Sequence, residues 1–305
     1  HPELNPIDEI GRYQSAVLRD GKIYISAYDS TMGDLAFTTV AFDGAETATL
    51  GWLPVDGLPP GEPQNKDPEA WRGGYEDAAD DVGRFTALAL TQGGAPVVAY
   101  QDVTNNTVKL AQKEAQGDSW KISTLTGEAE GKVVGNFTTM VLDSGDVPTV
   151  AYTVHGVRKM DGSMTARLMV ARAGTATPTG EEAWTRTQVA EAPVSCAGLC
   201  ETGEACIYAD PMKEDRLATV CKKPTGDCAT SCKMGTSCQA KTCVTALGAA
   251  VSDEPEGTGL YAQLVSASDT VYLVFHDRNS GAVKVASGSD WKVTTLDGGD
   301  GKVVA

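Results

Sequence analysis

Residues 11–37 read GRYQSAVLRDGKIYISAYDSTMGDLAF, and a polar loop then leads to a tryptophan at position 52. Much of this pattern returns three times, opening at Gly83, Gly135 and Gly259, with an aromatic residue two positions after each glycine. The tryptophans that close the four copies are Trp52, Trp120, Trp184 and Trp291. Four copies in one register predict a repeat architecture.

Short β-strands are the predicted elements of each copy. In the first copy, residues 15–18 and 22–28 are rich in Val, Ile and Tyr, and Asp20-Gly21 between them tolerates the positive φ that a tight hairpin needs. Four such strands in a unit of about 45 residues are the signature of a β-propeller blade. The sequence therefore predicts an all-β chain with a β-propeller of four recognisable four-stranded blades. The blades are expected at residues 11–56, 83–126, 135–190 and 259–297.

Two insertions interrupt these repeats. Residues 57–82 are rich in proline, glycine and acidic residues, and they are expected to form a long loop in which Trp71 is a lid residue or an anchor to the ring. Residues 191–247 contain every cysteine and are expected to form an inserted module. The propeller would then comprise residues 1–190 and 248–305.

The last five residues, GKVVA at 301–305, match the lead-in to the third copy, GKVVG at 131–135. We expect a further strand to start there, and three arrangements are open. The strand closes a four-bladed ring, or the chain is part of a larger ring, or the strand completes a neighbouring subunit by β-strand addition.

Charge and hydropathy exclude some classes of function. The chain has 41 acidic and 25 basic residues, a net charge of −16, which disfavours binding to nucleic acid. No apolar run reaches the roughly 18–20 residues that a membrane-spanning helix needs. A signal peptide is either absent or was removed before His1, and the start at a residue other than Met favours removal.

Acidic loop clusters suit cationic partners or Ca²⁺, which prefers oxygen ligands. They contain Asp77, Asp80, Asp81, Asp297 and Asp300. Neither cluster has the spacing of an EF-hand, and solvated surface charge is the simpler interpretation. Calcium is the one cofactor that the sequence suggests, and no other cofactor or metal is predicted.

The cysteines form a duplicated module, because both halves share the form C-x3-C-x2-G-x2-C with Gly203 and Gly235 in matching places. An even number of cysteines in a short segment predicts disulfides and an oxidising compartment. Each half permits three pairings, and we favour first-to-third and second-to-fourth. These pairs are Cys196–Cys206, Cys200–Cys221, Cys228–Cys238 and Cys232–Cys243. Zinc is the rival, but the spacing is not C-x2-C and no histidine lies nearby.

One repeat position is the main candidate for ligand binding. Counted seventeen residues from each glycine, it holds Tyr28, Tyr100, Tyr152 and His276, with Asp29, Asp102 and Asp277 close behind. Aromatic rings with neighbouring carboxylates can bind a sugar or an ammonium group. The plainer interpretation is tyrosines that pack between blades and aspartates that cap the following turns. His276 departs from the pattern and is the best single candidate.

The copies resemble a known class of protein. They share G-R-[YF]-[TQ]-[SA], then [IV]-[AS]-x-Y-D, G-D-L and a closing tryptophan, as in Gly11, Arg12 and Tyr13 of the first copy. This pattern is similar to the repeats of secreted bacterial β-propellers, many from myxobacteria, and the resemblance implies a surface or lipoprotein role with a Cys-rich insert. The layout is also similar to sialidase-type propellers. Their catalytic set does not carry over, because the position of Arg12 and Arg84 holds Asn136 and Leu260 in the other copies, and no proper Asp-box occurs.

Together these features predict a non-catalytic binding or scaffolding protein rather than an enzyme. It is expected to be secreted, at the extracellular or outer surface or in the periplasm, without a transmembrane segment. Its partner would be a glycan, an envelope or extracellular protein, or another copy of itself by strand exchange. The alternative is a hydrolase or lyase acting on polysaccharide, with the Tyr/Asp/His position as its centre.

Overall fold

The computed structural model describes residues 9–41, 51–58, 79–114, 117–126, 131–225, 228, 232–248, 256–267 and 270–298. These residues form a four-bladed propeller in which every blade is a four-stranded antiparallel sheet, and this confirms the predicted fold class. Neighbouring strands in each blade follow one another in the sequence. The tail at 301–305, the loop at 59–78 with Trp71 and Asp77, and Asp300 lie outside the described residues.

Blade 1 comprises β1 (Ile10–Arg19), β2 (Lys22–Asp29), β3 (Asp34–Ala41) and β4 (Leu53–Asp56). Blade 2 comprises β5 (Val82–Leu90), β6 (Pro96–Asp102), β7 (Thr107–Lys113) and β8 (Trp120–Thr124). Blade 3 comprises β9 (Val133–Leu142), β10 (Pro148–Arg158), β11 (Met164–Ala173) and β12 (Trp184–Val194), with one 3-10 turn at Glu181–Ala183. After the insert, blade 4 comprises β17 (Thr258–Ala267), β18 (Thr270–Asp277), β19 (Ala282–Ser287) and β20 (Lys292–Asp297).

The hydrophobic core is divided among the interfaces between successive blades. Blades 1 and 2 meet around Leu35, Phe37 and Tyr100. The next two interfaces are built in the same way, around Tyr152 and Trp184 between blades 2 and 3 and around Phe275 between blades 3 and 4. One blade alone leaves both faces exposed, so burial depends on stacking each sheet against the next.

Glycine at the start of each copy allows this stacking. A Cβ on Gly83 would lie 2.7 Å from Leu35 Cα in the preceding blade, and one on Gly259 would lie 2.9 Å from the Thr153 side chain. Both glycines also have positive φ, which L-residues rarely adopt. The first strand of a blade therefore lies closer to the preceding blade than any residue with a side chain would permit.

The insert consists of two small disulfide-bonded hairpins. Its strands are β13 (Ala205–Tyr208), β14 (Thr219–Lys222), β15 (Thr236–Gln239) and β16 (Thr242–Thr245). The cysteines are joined first to third and second to fourth in each half, with Cα atoms 5.4–5.5 Å apart. Such bonds replace the core that a module of this size cannot build.

A lengthened β10–β11 hairpin holds the insert against blade 3. Cys221 donates a backbone hydrogen bond of 2.9 Å to Gly162 O at the tip of that hairpin. Arg158 donates two hydrogen bonds to the Glu204 carboxylate, at 2.6 and 2.9 Å. The extra length of blade 3 and the insert are thus one structural feature.

The described residues contain no helix long and apolar enough to cross a membrane.

The stacking constraint predicts the effect of adding one methyl group. Gly83→Ala should lower the free energy of unfolding by about 2–4 kcal/mol, because the new Cβ meets the Leu35 backbone and the residue keeps a positive φ. Denaturant titration measures the loss. Gly51→Ala is the matched control, because nothing lies within 4 Å of its Cβ position, and it should change stability by less than about 1 kcal/mol. Equal effects at the two positions would refute the close-approach argument.

Candidate functional site

The polar side chains that could do chemistry gather at one end of the blades. We call it the upper end, where each blade's first strand begins and its second strand ends, and the opposite end is the lower end. Asp29 and Asp102 end β2 and β6 at the upper end, and Asp81 directly precedes β5 there. Leu58 and Ala79, the described residues on either side of segment 59–78, follow β4 and precede β5 at this end.

The strand register corrects the candidate ligand-binding position. Tyr28 lies opposite Arg12, and His276 lies opposite Leu260, whereas Gln101 takes the corresponding place opposite Arg84 in blade 2. Thr153 takes it in blade 3, opposite Asn136. Tyr100 and Tyr152 each stand one residue earlier, so they point to the other face of their sheets. The four residues therefore do not share one structural position.

Hairpin length explains why counting from the glycine misplaced these tyrosines. The turn between Arg19 and Lys22 in blade 1 has two residues, whereas the turn between Leu90 and Pro96 in blade 2 has five. The turn of blade 2 is three residues longer, but each of its two strands is one residue shorter between the paired position and the turn, so the count shifts by one residue. Blade 3 has the same five-residue turn as blade 2, between Leu142 and Pro148.

The repeated aspartates cap turns, as the plainer interpretation expected. Asp29 Oδ1 accepts backbone hydrogen bonds from Thr31 at 2.9 Å and from Met32 at 3.1 Å. Asp102 and Asp277 bond the backbone of the following turns in the same way, at 2.8 and 3.2 Å. Burial raises the pKa of Asp29 despite these two bonds. Turn formation therefore accounts for these three carboxylates.

Tyr100 links blade 2 to blade 1. Its side chain is fully buried, and its hydroxyl donates a 2.7 Å hydrogen bond to Asp56 Oδ2 on the last strand of blade 1. Burial raises the pKa of the phenol well above its usual value. Tyr152 is also buried, within the core between blades 2 and 3. Neither ring is available to a ligand in solution.

Lys109 contacts three carboxylates beside Tyr100. Its Nζ lies 2.7 Å from Asp102, 3.3 Å from Asp56 and 3.7 Å from Asp80. Burial lowers the pKa of Lys109, but the hydrogen bond to Asp102 and the charge of Asp56 outweigh it, so the net shift is upward. The ammonium group thus occupies the place that a cation would otherwise fill among these oxygens. Blade 4 has a simpler version of the pair, Lys284 with Asp277.

Tyr28, Asp81 and Arg84 form a second polar group at the upper end, nearer the first strands. The Tyr28 hydroxyl donates a 3.0 Å hydrogen bond to Asp81 Oδ1, and Arg84 donates one of 2.8 Å to Asp81 Oδ2. The Arg84 guanidinium also lies 5.2 Å from the centre of the Tyr28 ring. Burial raises the pKa of Tyr28, so its hydroxyl stays protonated and remains a hydrogen-bond donor. The Asp81 side chain is 23% exposed and can be reached from solvent.

A matching carboxylate–arginine pair opens blade 1. Glu9 and Arg12 are in contact at 3.2 Å with the same spacing of three residues as Asp81 and Arg84. Both carboxylates stand two residues before the glycine that begins the copy. Val133 and Gly257 hold this position in blades 3 and 4. Only blades 1 and 2 therefore place an acid there.

An aromatic row runs past these groups. The rings of Tyr13 and Phe85 are 4.5 Å apart, those of Phe85 and Phe137 are 5.3 Å apart, and those of Phe137 and Tyr261 are 5.1 Å apart. All four residues have φ between 50 and 53°, a conformation that bulky residues rarely adopt. The Tyr13 ring also lies 6.0 Å from that of Tyr28. The sequence marked this row as an aromatic residue two positions after each glycine, but it gave no sign that neighbouring rings touch.

The remaining predicted residues stand apart from this arrangement. His276 is partly buried on β18 between Leu260 of β17 and Val283 of β19. The described part of the chain brings some cysteines close enough to share a metal ion, but these sulfurs are bonded in disulfides. The calcium suggestion stays a prediction.

No family model matches this chain, and no curated protein matches it. Solved structures do match. The Hadza microbial sialidase Hz136 is 10% identical, over 94% of this chain and 46% of that chain, with a TM-score of 0.49. The Cellvibrio cellulosa α-L-arabinanase complexed with arabinohexaose is 10% identical, over 96% of this chain and 80% of that chain, with a TM-score of 0.40. A GH43_1 enzyme from Xanthomonas citri complexed with xylose is 11% identical, over 97% and 77%, with a TM-score of 0.40. This chain spans less than half of the sialidase.

These matches correct the functional prediction. The matched structures are enzymes that act on glycans, so they favour the alternative, a glycan-acting enzyme, over the expected non-catalytic binding or scaffolding protein without enzymatic activity. The distant likeness to sialidase-type propellers is supported, and an origin in myxobacteria stays a prediction. At this level of identity a match shows the fold alone.

Removing the charge of Lys109 tests whether it stabilises the three carboxylates around it. Lys109→Met should lower the free energy of unfolding at pH 7.5 by about 3–5 kcal/mol, because three carboxylates would then face one another without a cation. Denaturant titration at pH 7.5 measures the loss.

Lys284→Met is the control for this prediction. That lysine pairs with one carboxylate, so the loss should be smaller, about 1–3 kcal/mol. Equal losses in the two variants would contradict the role given to Lys109.

Proposed function

We propose that this protein is a glycoside hydrolase whose centre lies at the upper end of blades 1 and 2. The observation that carries this proposal is the pair of equivalent acids, Glu9 and Asp81, each held by its own arginine, with Tyr28 bonded to one of them. Most glycosidases cleave with two carboxyl groups that flank the scissile bond. Equivalent positions in neighbouring blades are a direct way to place two such groups on either side of a sugar.

Asp81 suits the role of the anionic carboxylate. Its two oxygens accept hydrogen bonds from the Tyr28 hydroxyl and from Arg84, and these two donors fix the orientation of the carboxylate. A fixed carboxylate of this kind attacks the anomeric carbon or activates a water molecule. Tyr28 is only 6% exposed, so we assign it the positioning of Asp81 and no contact with the sugar.

Glu9 supplies the second carboxyl group of the proposed centre. Its side chain is 66% exposed, so a bound sugar can reach it. Ser30 donates a hydrogen bond of 3.1 Å to Glu9 Oε2, the same oxygen that Arg12 contacts. Tyr13, which stands between Arg12 and the second blade in the aromatic row, is 41% exposed and offers a face on which a sugar ring can stack.

Charge favours a neutral glycan as the substrate. The net charge of −16 repels polyanionic polymers, and both arginines of the site are already paired with carboxylates. The four disulfides are consistent with folding in an oxidising compartment, and we propose secretion.

Removing either acid should abolish cleavage. Asp81→Asn and Glu9→Gln should each lower kcat/KM on the order of 10²–10⁴-fold, because a glycosidase needs both the anionic carboxylate and the proton donor. Release of reducing sugar from linear arabinan, xylan and cellulose oligosaccharides measures this, with sialyllactose as the acidic comparison. Tyr28→Phe should lower kcat while KM changes little, because it loosens Asp81 without touching the sugar.

Asp20→Asn provides the control for the acids, since Asp20 is an exposed carboxylate in the lower-end β1–β2 hairpin. Its activity should match that of the unchanged protein. Full activity in Asp81→Asn would place the centre elsewhere, and cleavage of sialyllactose alone would overturn the choice of a neutral substrate.

A further inference from the structure

A cavity of about 760 Å³ opens at the lower end between blades 3 and 4. It lies at the opposite end of the blades from Glu9 and Asp81. Its walls come from the ends of β9 and β11 and the starts of β10 and β12. Blade 4 contributes the end of β17, the start of β18 and the turn between β19 and β20. Its volume falls in the range of about 300–1,000 Å³ that is usual for small-molecule sites.

The other two interfaces are bridged at the corresponding place. Arg19 of the β1–β2 hairpin donates 2.6 Å hydrogen bonds to the backbone of Thr91 and Gln92 in blade 2. Gln92 in turn bonds Asp146 at 2.7 Å and the Ser144 carbonyl in blade 3. Ser144 also lines the cavity. The cavity therefore begins where this series of hairpin contacts reaches blade 3.

Trp291 marks the cavity as more than a packing gap. The corresponding Trp184 begins β12 with an extended backbone, φ −117°, and is buried between blades. Trp291 instead has φ +52° and lines the cavity, with its indole packed on the core between blades 3 and 4. A bulky residue held at positive φ costs on the order of 1–3 kcal/mol, and such strain concentrates at functional sites.

The rest of the lining has the mixed character of a sugar site. Val170 and Val271 supply an apolar floor, and the hydroxyls of Thr185, Thr187 and Ser289 lie around it. Arg172 and Asp143 add one ion pair at 3.2 Å, so the lining carries no net charge. An indole face, hydroxyl groups and a neutralised arginine match the apolar faces and hydroxyl rim of an uncharged sugar.

We propose that this cavity is a second glycan-binding site, which holds a neutral oligosaccharide stacked on Trp291. Arg172, Thr185 and Thr187 donate hydrogen bonds to the sugar hydroxyls. The site anchors a polymer on the lower end while the upper end cleaves it, a role that rests on the proposed hydrolase activity. Binding itself is independent of that activity.

Binding is tested in an Asp81→Asn background, so that no cleavage occurs. Xylohexaose, arabinohexaose and cellohexaose are titrated by calorimetry and tryptophan fluorescence, and at least one should bind. Trp291→Ala should weaken that binding at least tenfold. Because Trp291 also packs on the core, Thr187→Arg provides a second variant, which blocks the cavity from the exposed face of β12 and should have the same effect. Thr39→Arg, an exposed threonine on β3 of blade 1, is the control and should leave binding unchanged.

The outcomes separate this inference from the proposed function. If no hexasaccharide binds, or if Trp291→Ala and Thr187→Arg both bind as well as the parent, the second site does not exist, whether or not the protein is a hydrolase. Binding that depends on Trp291 in a chain that cleaves nothing supports the second site and refutes the hydrolase. If both hold, Thr187→Arg should raise KM for the polymer and leave KM for a disaccharide unchanged.

Discussion

The close approach of each first strand to the preceding blade is the constraint from which the rest of the structure follows. Gly83 places its backbone against the Leu35 backbone, where no side chain fits. At that distance the two sheets exclude water, and the strand bends through an irregular register between Arg84 and Ala87. The same bend turns Phe85 into the left-handed region and brings its ring to Tyr13. One glycine thus determines both the interface and the start of the aromatic row.

This constraint also determines which residues face each other across an interface. Arg84 follows the glycine directly, so it meets the next-to-last residue of the second strand of the preceding blade. In blades 1 and 2 that pair is Tyr28 with Arg84, and in blades 2 and 3 it is Gln101 with Asn136, whose side chains are hydrogen-bonded at 3.0 Å. The repeat provides a fixed place for a pair, and the residue types at that place decide what each interface can do.

The sequence predicted the features that depend on residue type and local periodicity. Four blades, their tryptophans, the Asp20-Gly21 hairpin and the cysteine pairing all follow from short-range pattern. The candidate site was harder to predict from the sequence because it depends on the register of the strands. In blades 2 and 3 the five-residue turns change the pairing by one residue, so Tyr100 and Tyr152 lie on the sheet face opposite to that of Tyr28. Counting residues along the chain does not reveal this change in pairing. Asp81 was assigned to an acidic loop cluster, and its equivalence to Glu9 was missed, although each stands two residues before the glycine of its copy.

Both proposed sites rest on departures from the repeat, because packing already accounts for what the copies share. The repeated aspartates cap turns and the repeated glycines allow close approach, so neither is free to serve a ligand. A carboxylate before the first strand is not required for packing, since blade 3 has Val133 at that position. A tryptophan at positive φ is not required either, since Trp184 closes blade 3 with an extended backbone. The two departures lie at opposite ends of different interfaces, so a polymer that binds at both must pass along the blades from one end to the other.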